Sequence, residues 1–206
     1  GNEHVGRHLS LQPQLPITAL FDEPVRFFRG IPQSWAVTEK EWIDEGGHGL
    51  WGYRIEAIAG TPGIVSTLLP RLGRSGKEQM AAYARIAASL LLLPDDPQAL
   101  VRVESSGRLR IDYAFTDEQR ARFRDAARLA ARIYFAAGAR EVVLPTSPPV
   151  VLRSEKDLPA LDAVPFHPTT APFVSAHQQG GVRFATSPKD GAASPDGPSR
   201  SPKKPS

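Results

Sequence analysis

Apolar and polar residues alternate most regularly around the turn sequence Ser105-Ser106-Gly107. Residues 101–104 and 108–113 place apolar side chains at every second position, with charged side chains between them. A period of two on both sides of a glycine-containing turn predicts a β-hairpin with one apolar and one wet face. The same alternation over residues 53–57 predicts a half-buried strand, and residues 141–144 predict a shorter one.

A spacing of three and four residues between apolar side chains predicts a long helix after Thr116. Thr116 and Gln119 supply the two halves of a capping box at its start. Gly138 stands just past its end, where a glycine C-cap is expected. A shorter helix is predicted to begin at Thr61-Pro62, because Thr can cap a helix and Pro suits the first turn.

Residues 77–93 are rich in Ala, Leu and Ile without a breaker, which predicts a second long helix that Ser75 caps and Pro94 ends. Prolines interrupt the apolar residues of 9–25, which predicts edge strands and loops. Residues 145–172 are Pro-rich and predict an irregular loop. Together these elements predict an α+β fold with a mostly antiparallel sheet flanked by helices. No glycine-rich turn joins a strand to a helix, so the sequence predicts no dinucleotide-binding unit in this stretch.

The end of the 206-residue chain differs in composition from the rest. From Arg183 onward five basic residues accompany two acidic ones, whereas the preceding part carries 20 of each, so the net charge of +3 lies in this segment. After Ser187 the chain is mainly Pro, Ser, Gly, Lys and Asp, which predicts a disordered tail over 188–206 after a folded domain over 1–187. Charges in such a tail favour solvation, so we expect no nucleic-acid partner.

The composition also excludes several classes of chemistry. The chain has no cysteine, which rules out disulfides, thiolate metal sites and thiol nucleophiles. The longest apolar run, residues 86–93, is far shorter than the roughly 20 residues of a membrane-spanning helix, so no span is expected. The polar start Gly1-Asn2-Glu3-His4 has no signal-peptide pattern, from which we predict a cytoplasmic protein whose chain begins mid-protein.

Histidines are the main candidates for catalysis, and none is paired with another histidine or a carboxylate at metal-ligand spacing on a helix. No Gly-x-Ser-x-Gly sequence marks a nucleophilic serine. Asp95 and Asp96 stand between prolines, where a solvated turn is the favoured interpretation. His177 follows Ser175-Ala176 and precedes Gly180-Gly181, a bend that lets a backbone approach a ligand closely. From spacing alone, a structural or surface role for His177 is favoured.

Residues 177–183, His-Gln-Gln-Gly-Gly-Val-Arg, resemble the His-x-x-Gly-Thr-x-Arg-Met-Gly segment of the glucose–methanol–choline (GMC) oxidoreductases, in particular bacterial members that look like long-chain alcohol oxidases. Residues 5–13 resemble the family's Val-Gly-x-Asn-Leu-x-x-His-Pro entry into the substrate domain, and residues 21–25 and 30–34 continue the likeness. The resemblance covers about residues 5–197. It implies that residues 1–187 are an incomplete GMC-type substrate domain.

The resemblance implies a flavin-dependent enzyme that oxidises the CH–OH group of an alcohol and passes the hydride to FAD. His177 matches the family's catalytic histidine, and an imidazole, with an unperturbed pKa of about 6.5, can accept a hydroxyl proton near neutrality. Gly180 and Gly181 are expected to contact the cofactor. The implied partners are a small-molecule alcohol and the FAD-binding domain of a longer parent protein.

Two further residues are expected to contact the substrate. Gln33 lies in a segment that resembles the family, although a turn-stabilising amide is an equal alternative. Trp35 can line a pocket for an apolar alcohol, as can Trp42 and Trp51, although burial in the core is the favoured interpretation of these tryptophans.

Three departures from the family pattern leave a second hypothesis open. Phe184-Ala185 stands where the family has Met-Gly, Gln12 replaces a common histidine, and low-complexity sequence follows Asp196-Gly197 where a further family segment is expected. We therefore expect a truncated or frameshifted fragment that is inactive alone, because its main FAD-binding segments are missing. The alternative is a non-catalytic remnant, or a module that binds a small molecule or a partner without redox chemistry.

Overall fold

The computed structural model describes residues 2–43, 45, 50–69 and 72–196. The chain divides into two compact units. The first, which we call the hairpin unit, comprises residues 1–12, 95–115 and 175–206. The second, the sheet unit, comprises residues 13–94 and 116–174. The fold is α+β with a mostly antiparallel sheet, which confirms the predicted class.

The described residues form both strands and helices. The strands are β1 (Gln14–Leu20), β2 (Ala36–Val37), β3 (Glu41–Ile43), β4 (Leu50–Gly52), β5 (Arg54–Ala57), β6 (Ile86–Leu92), β7 (Leu100–Val103), β8 (Leu109–Asp112), β9 (Glu141–Leu144) and β10 (Val150–Leu152). The α-helices are α1 (Pro62–Leu68), α2 (Gly73–Ala81) and α3 (Asp117–Ala136), and 3₁₀ helices span Tyr83–Arg85 and Glu155–Ala163.

The sheet unit is built on an antiparallel sheet in the order β10-β9-β1-β6-β5-β2. Strand β1 lies in its interior, so the prediction of an edge strand in this region is wrong. Leu15 and Ile17 are completely buried, and this apolar burial outweighs the cost of a proline in the strand. Pro16 lies opposite Leu90 on β6, while pairing with β9 begins only at Thr18, so the ladder on that side does not reach the proline.

The predicted helix over residues 77–93 is wrong in its second half. Helix α2 ends at Ala81, and the continuous apolar run that follows is β6, paired with β1 on one side and β5 on the other. An interior strand covered on both faces carries no alternation, so its apolar run resembles a buried helix in sequence. Ser75 does not cap α2, whose N-cap position is Leu72.

Helix α3 confirms the predicted long helix and its signals. The Thr116 hydroxyl accepts from the Gln119 backbone amide, the Gln119 side chain accepts from the Thr116 amide, and Gly138 follows the helix with φ +92°. Phe123 is fully buried in this unit against Phe166 and Phe173. The strand predicted over residues 53–57 is also confirmed as β5.

The Pro-rich stretch over residues 145–172 is more ordered than predicted. It contains β10, which pairs with β9, and the 3₁₀ helix Glu155–Ala163. Leu152 and Leu161 are completely buried, and that burial orders a segment whose local sequence favours loops.

The hairpin unit contains the predicted hairpin, formed by β7 and β8. Its apolar face is only partly covered, because Val103, Leu109 and Ile111 are 51–70% exposed. Packed residues also extend beyond the predicted domain end at 187: Ala192 and Ala193 are buried, and both amides bond to the Arg183 carbonyl. The rest of the predicted tail, residues 197–206, lies outside the described residues.

In the described part of the chain, no helix has the length and apolar character needed to cross a membrane.

Candidate functional site

His177 lies in the hairpin unit with an exposed side chain, on a segment fixed to the start of the chain. Gln179 and Ser10 exchange two backbone hydrogen bonds of 2.9 and 3.0 Å, and the Ser175 hydroxyl donates to the Leu11 carbonyl. The Nδ1 atom of His177 contacts Oε1 of Gln12. The imidazole is therefore held at its Nδ1 side, and the side chain is exposed to solvent.

The contact with Gln12 selects the proton position on the His177 ring. An amide oxygen only accepts hydrogen bonds, so Nδ1 carries the proton and donates it to Oε1. The Nε2 atom of the same ring then has a free lone pair. This arrangement presents one basic nitrogen at the surface of the unit, which is what a general base requires.

Asp95 organises the backbone that carries Gln12. Its Oδ1 accepts from the backbone N–H of Gln12 at 2.7 Å and from the Ser10 hydroxyl at 2.7 Å. Its Oδ2 accepts from the backbone N–H of Leu11 at 2.9 Å and from the Tyr113 hydroxyl at 2.9 Å. The interpretation of Asp95 as a solvated turn residue is therefore wrong. Local sequence carries no signal for this role, since the donors lie 18 to 85 positions away along the chain.

The two glycines after His177 differ in their surroundings. Gly180 has φ +85°, and a Cβ atom there would lie 1.9 Å from the His8 carbonyl oxygen. A Cβ atom on Gly181 would meet nothing within 4 Å. Close packing against His8 is sufficient reason for glycine at 180, whereas Gly181 leaves open space next to the backbone. The cofactor contact expected of Gly180 and Gly181 stays a prediction at both positions.

Two other histidines of the hairpin unit pack against each other. The rings of His4 and His8 stack with centroids 5.9 Å apart, and His4 Nε2 donates to the Lys189 carbonyl at 2.7 Å. Burial, together with the nearby charge of Arg183, lowers the pKa of His8. Among the described residues, no three His, Asp or Glu side chains group in a way that could hold a metal ion.

Gln33 and Trp35 lie in the sheet unit, just before the edge strand β2, which pairs with β5. The backbone N–H of Gln33 donates to the Ala57 carbonyl at 3.0 Å, and the backbone N–H of Ala57 donates to the Trp35 carbonyl at 3.1 Å. Gln33 has φ +54° at this turn. Its backbone therefore helps to hold the turn together, whereas the turn-stabilising role of its side-chain amide and the contact of that side chain with a substrate both stay predictions.

Trp35 is 81% exposed, so its assignment to the core is wrong. It lines an apolar cavity of about 230 Å³ in the sheet unit. The remaining lining residues are mostly aliphatic: Ala36, Val37, Ile55, Ala57, Ser89, Ala130, Ile133 and Tyr134. Besides Trp35 with its indole N–H, the lining side chains with polar groups are Ser89 and Tyr134, whose hydroxyls lie 2.6 Å apart. Burial raises the pKa of Tyr134 to about 12, so the pair is uncharged.

The other two tryptophans form a separate arrangement in the sheet unit. Trp42 on β3 and Trp51 on β4 are directly opposite each other, and the Arg122 guanidinium lies 6.0 and 5.2 Å from their rings. Trp42 is 53% exposed, so the core interpretation is wrong for it as well. The structure thus groups His177 with Gln12 and the glycines in one unit, and Gln33 with Trp35 in the other.

Comparisons with known proteins give two relatives. No family model matches the chain. Two proteins of Mycobacterium tuberculosis, from strains CDC 1551 / Oshkosh and ATCC 25618 / H37Rv, are each named an uncharacterized GMC-type oxidoreductase and are 30% identical to this chain over 189 residues. The match covers 87% of this chain and 29% of each relative. The chain therefore spans less than a third of the length of the curated relatives that it matches.

Proposed function

We propose that this chain, which matches two proteins named GMC-type oxidoreductase over 87% of its length, is a substrate-domain segment of an FAD-dependent enzyme that oxidises the CH–OH group of alcohols. The observation that carries the proposal is the exposed His177 imidazole, held at Nδ1 by Gln12. His177 is the catalytic base in this proposal. The whole reaction belongs to a longer protein that also contains an FAD-binding domain.

In the proposed reaction His177 accepts the hydroxyl proton of the alcohol at Nε2. The resulting imidazolium keeps its Nδ1 hydrogen bond to Gln12, whose amide oxygen stabilises the added positive charge. The ring does not need to rotate between the two protonation states, because Nδ1 donates in both. FAD, when bound, would supply the acceptor for the hydride that leaves the alcohol carbon.

The residues of this chain fit an approaching flavin in part. The exposed His177 ring and the open space beside Gly181 leave room for a planar ring and a substrate hydroxyl. Gly180 is accounted for by its packing against His8 and is not needed for the cofactor. Among the described residues no glycine-rich turn leads from a strand into a helix to bind the diphosphate, so that part of FAD would be bound by the parent protein.

The proposal predicts that alcohols reduce the flavin of a full-length protein carrying this segment. The purified holoprotein would be mixed without oxygen with 1-octanol and, separately, with a short primary alcohol, while the visible flavin absorbance is recorded. We expect loss of the oxidised-flavin band with at least one alcohol. If dithionite bleaches the bound flavin but neither alcohol does, the proposed activity is wrong.

The cavity beside Trp35 supports an apolar alcohol as the substrate class. Its volume of about 230 Å³ is of the size of a medium-length aliphatic chain, and its lining is apolar apart from the Ser89–Tyr134 pair. Burying an alkyl chain there would gain roughly 0.8 kcal/mol per methylene group. We assign Trp35 to this apolar contact and place Gln33 in the same substrate-facing segment.

Replacing Trp35 with alanine is expected to weaken binding of 1-octanol to the 206-residue chain about tenfold, because one aromatic face of the cavity is lost. The measurement is a titration followed by tryptophan fluorescence and by ligand-observed NMR. Trp42→Ala is the matched control: Trp42 is also exposed but contacts Arg122 rather than the cavity. Equal affinities of wild type and Trp35→Ala would remove Trp35 from the site.

One observation favours the alternative of a binding module without redox chemistry. Phe184, at a position where the GMC pattern has Met, is 67% exposed, and its backbone forms a bridge with Ala193. This local arrangement departs from the family at the segment that follows the proposed base. A module of this kind would bind 1-octanol in the Trp35 cavity, while the flavin of the longer protein would not respond to alcohols.

A further inference from the structure

We propose that Asp95 is a positioning residue for His177 and acts through Gln12. The inference rests on the proposed function for its catalytic meaning, since His177 is the base in that proposal. Asp95 accepts four hydrogen bonds, two from consecutive backbone amides and two from hydroxyls. All five residues belong to the hairpin unit. Nothing in the family resemblance assigns a role to this carboxylate.

The backbone of Gln12 needs such support. Gln12 has φ +48°, a left-handed conformation that costs a residue with a side chain free energy and persists only where its surroundings enforce it. The Asp95 carboxylate bonds to the amide of Gln12 at 2.7 Å and to that of Leu11 at 2.9 Å. Hydrogen bonds to an ionised acceptor are about twice as strong as neutral ones. The carboxylate therefore holds the peptide units on both sides of Leu11 in one orientation.

The hydrogen bonds of Asp95 to the backbone of residues 11 and 12, which we call the Asp95 clamp, are connected to His177 through two contacts. The Gln12 side chain, which leaves the clamped backbone, places Oε1 against Nδ1 of His177. The Leu11 carbonyl, in the same clamped segment, accepts from the hydroxyl of Ser175, two residues before the histidine. Loss of the clamp would free both contacts together. The Nδ1 proton of His177 would then lose its fixed acceptor, and the free Nε2 would lose its fixed direction.

The chemistry of the four partners requires an acid at position 95. A carboxylate has only acceptor oxygens, whereas an asparagine of the same shape has one oxygen and one NH₂ donor. Oδ1 and Oδ2 each accept one backbone amide, so asparagine in either orientation leaves one of the two N–H groups facing a donor. Asp95→Asn thus removes the clamp with almost no change in volume.

The test is the tautomer of His177 in the full 206-residue chain, measured from ¹⁵N chemical shifts of the imidazole nitrogens at a pH where the ring is neutral. In the wild-type chain we expect the Nδ1–H form to predominate. In Asp95→Asn the ratio of Nδ1–H to Nε2–H is expected to fall about fivefold, the loss of one hydrogen bond. Asp96→Asn is the matched control, because Asp96 bonds to Gln98 through its backbone carbonyl. Its ratio should equal that of the wild type.

Tyr113→Phe is the second test variant, to be used if Asp95→Asn unfolds the hairpin unit. This variant removes one donor to Asp95 and retains the carboxylate, so we expect a smaller change of the tautomer ratio in the same direction. An unchanged ratio in a folded Asp95→Asn chain, or in Tyr113→Phe if the first variant does not fold, would overturn the inference. The tautomer measurement uses neither flavin nor alcohol, so its result is independent of the flavin-reduction experiment. A changed tautomer ratio together with a flavin that alcohols do not reduce would support the role of Asp95 and refute the proposed reaction.

Discussion

Under the proposed function, replacing His177 with alanine in a longer protein that carries this segment and binds FAD is expected to lower kcat for alcohol oxidation by about 10²–10⁴-fold, the usual contribution of a general base. The reason is specific to the geometry of the ring. Its Nε2 is the basic atom that remains after Nδ1 bonds to Gln12, and alanine offers no proton acceptor at that position. The measurement is the rate of flavin reduction when enzyme and alcohol are mixed without oxygen, at a saturating alcohol concentration.

His167→Ala is the control for this experiment. His167 is also exposed, but its Nδ1 bonds to the hydroxyl of Thr169 at 2.9 Å in a local turn of the sheet unit. We expect its rate of flavin reduction to stay within about twofold of wild type, as for surface substitutions away from any site. If His177→Ala retains the wild-type rate under the same conditions, another group accepts the proton and the assignment of His177 fails.

Those elements that depend on local sequence could be predicted from it. The capping box of Thr116 and Gln119 and the glycine at 138 mark both ends of α3, because capping involves neighbours within four residues. The alternation in β7 and β8 marks a hairpin for the same reason. Strand β6 could not be predicted, because its apolar run becomes a strand only through pairing with β1 and β5.

In the candidate site, too, some residues could be predicted from local sequence and others could not. His177 could be singled out from its segment, but its acceptor Gln12 lies 165 positions away along the chain. The local sequence of Asp95 is a Pro-flanked acidic pair that favours a solvated turn, whereas the donors that surround its carboxylate come from two other segments. The proposed base is therefore visible in the sequence, whereas the residues that orient it become visible only in the folded hairpin unit.

The glycine pair that follows His177 allows packing and cofactor contact to be separated by experiment. Gly180→Ala is expected to lower the free energy of unfolding of the 206-residue chain by more than about 2 kcal/mol, because a left-handed φ costs an L-residue roughly 1–2 kcal/mol before any clash is counted. The new Cβ would also lie 1.9 Å from the His8 carbonyl oxygen, and a backbone atom cannot move aside as a flexible side chain can. Urea unfolding curves measure the difference.

Gly181→Ala is the matched control, because its new Cβ would meet nothing within 4 Å. We expect its unfolding free energy to stay within about 0.5 kcal/mol of wild type. The proposed function predicts a different result for FAD retention in a longer FAD-binding protein that carries this segment. Gly181→Ala fills the open space beside the His177 segment and should weaken FAD retention directly. Gly180→Ala should lose FAD only to the extent that it destabilises the fold. Equal unfolding curves for wild type and Gly180→Ala would show that the packing against His8 does not require glycine. Position 180 would then return to being a candidate cofactor contact.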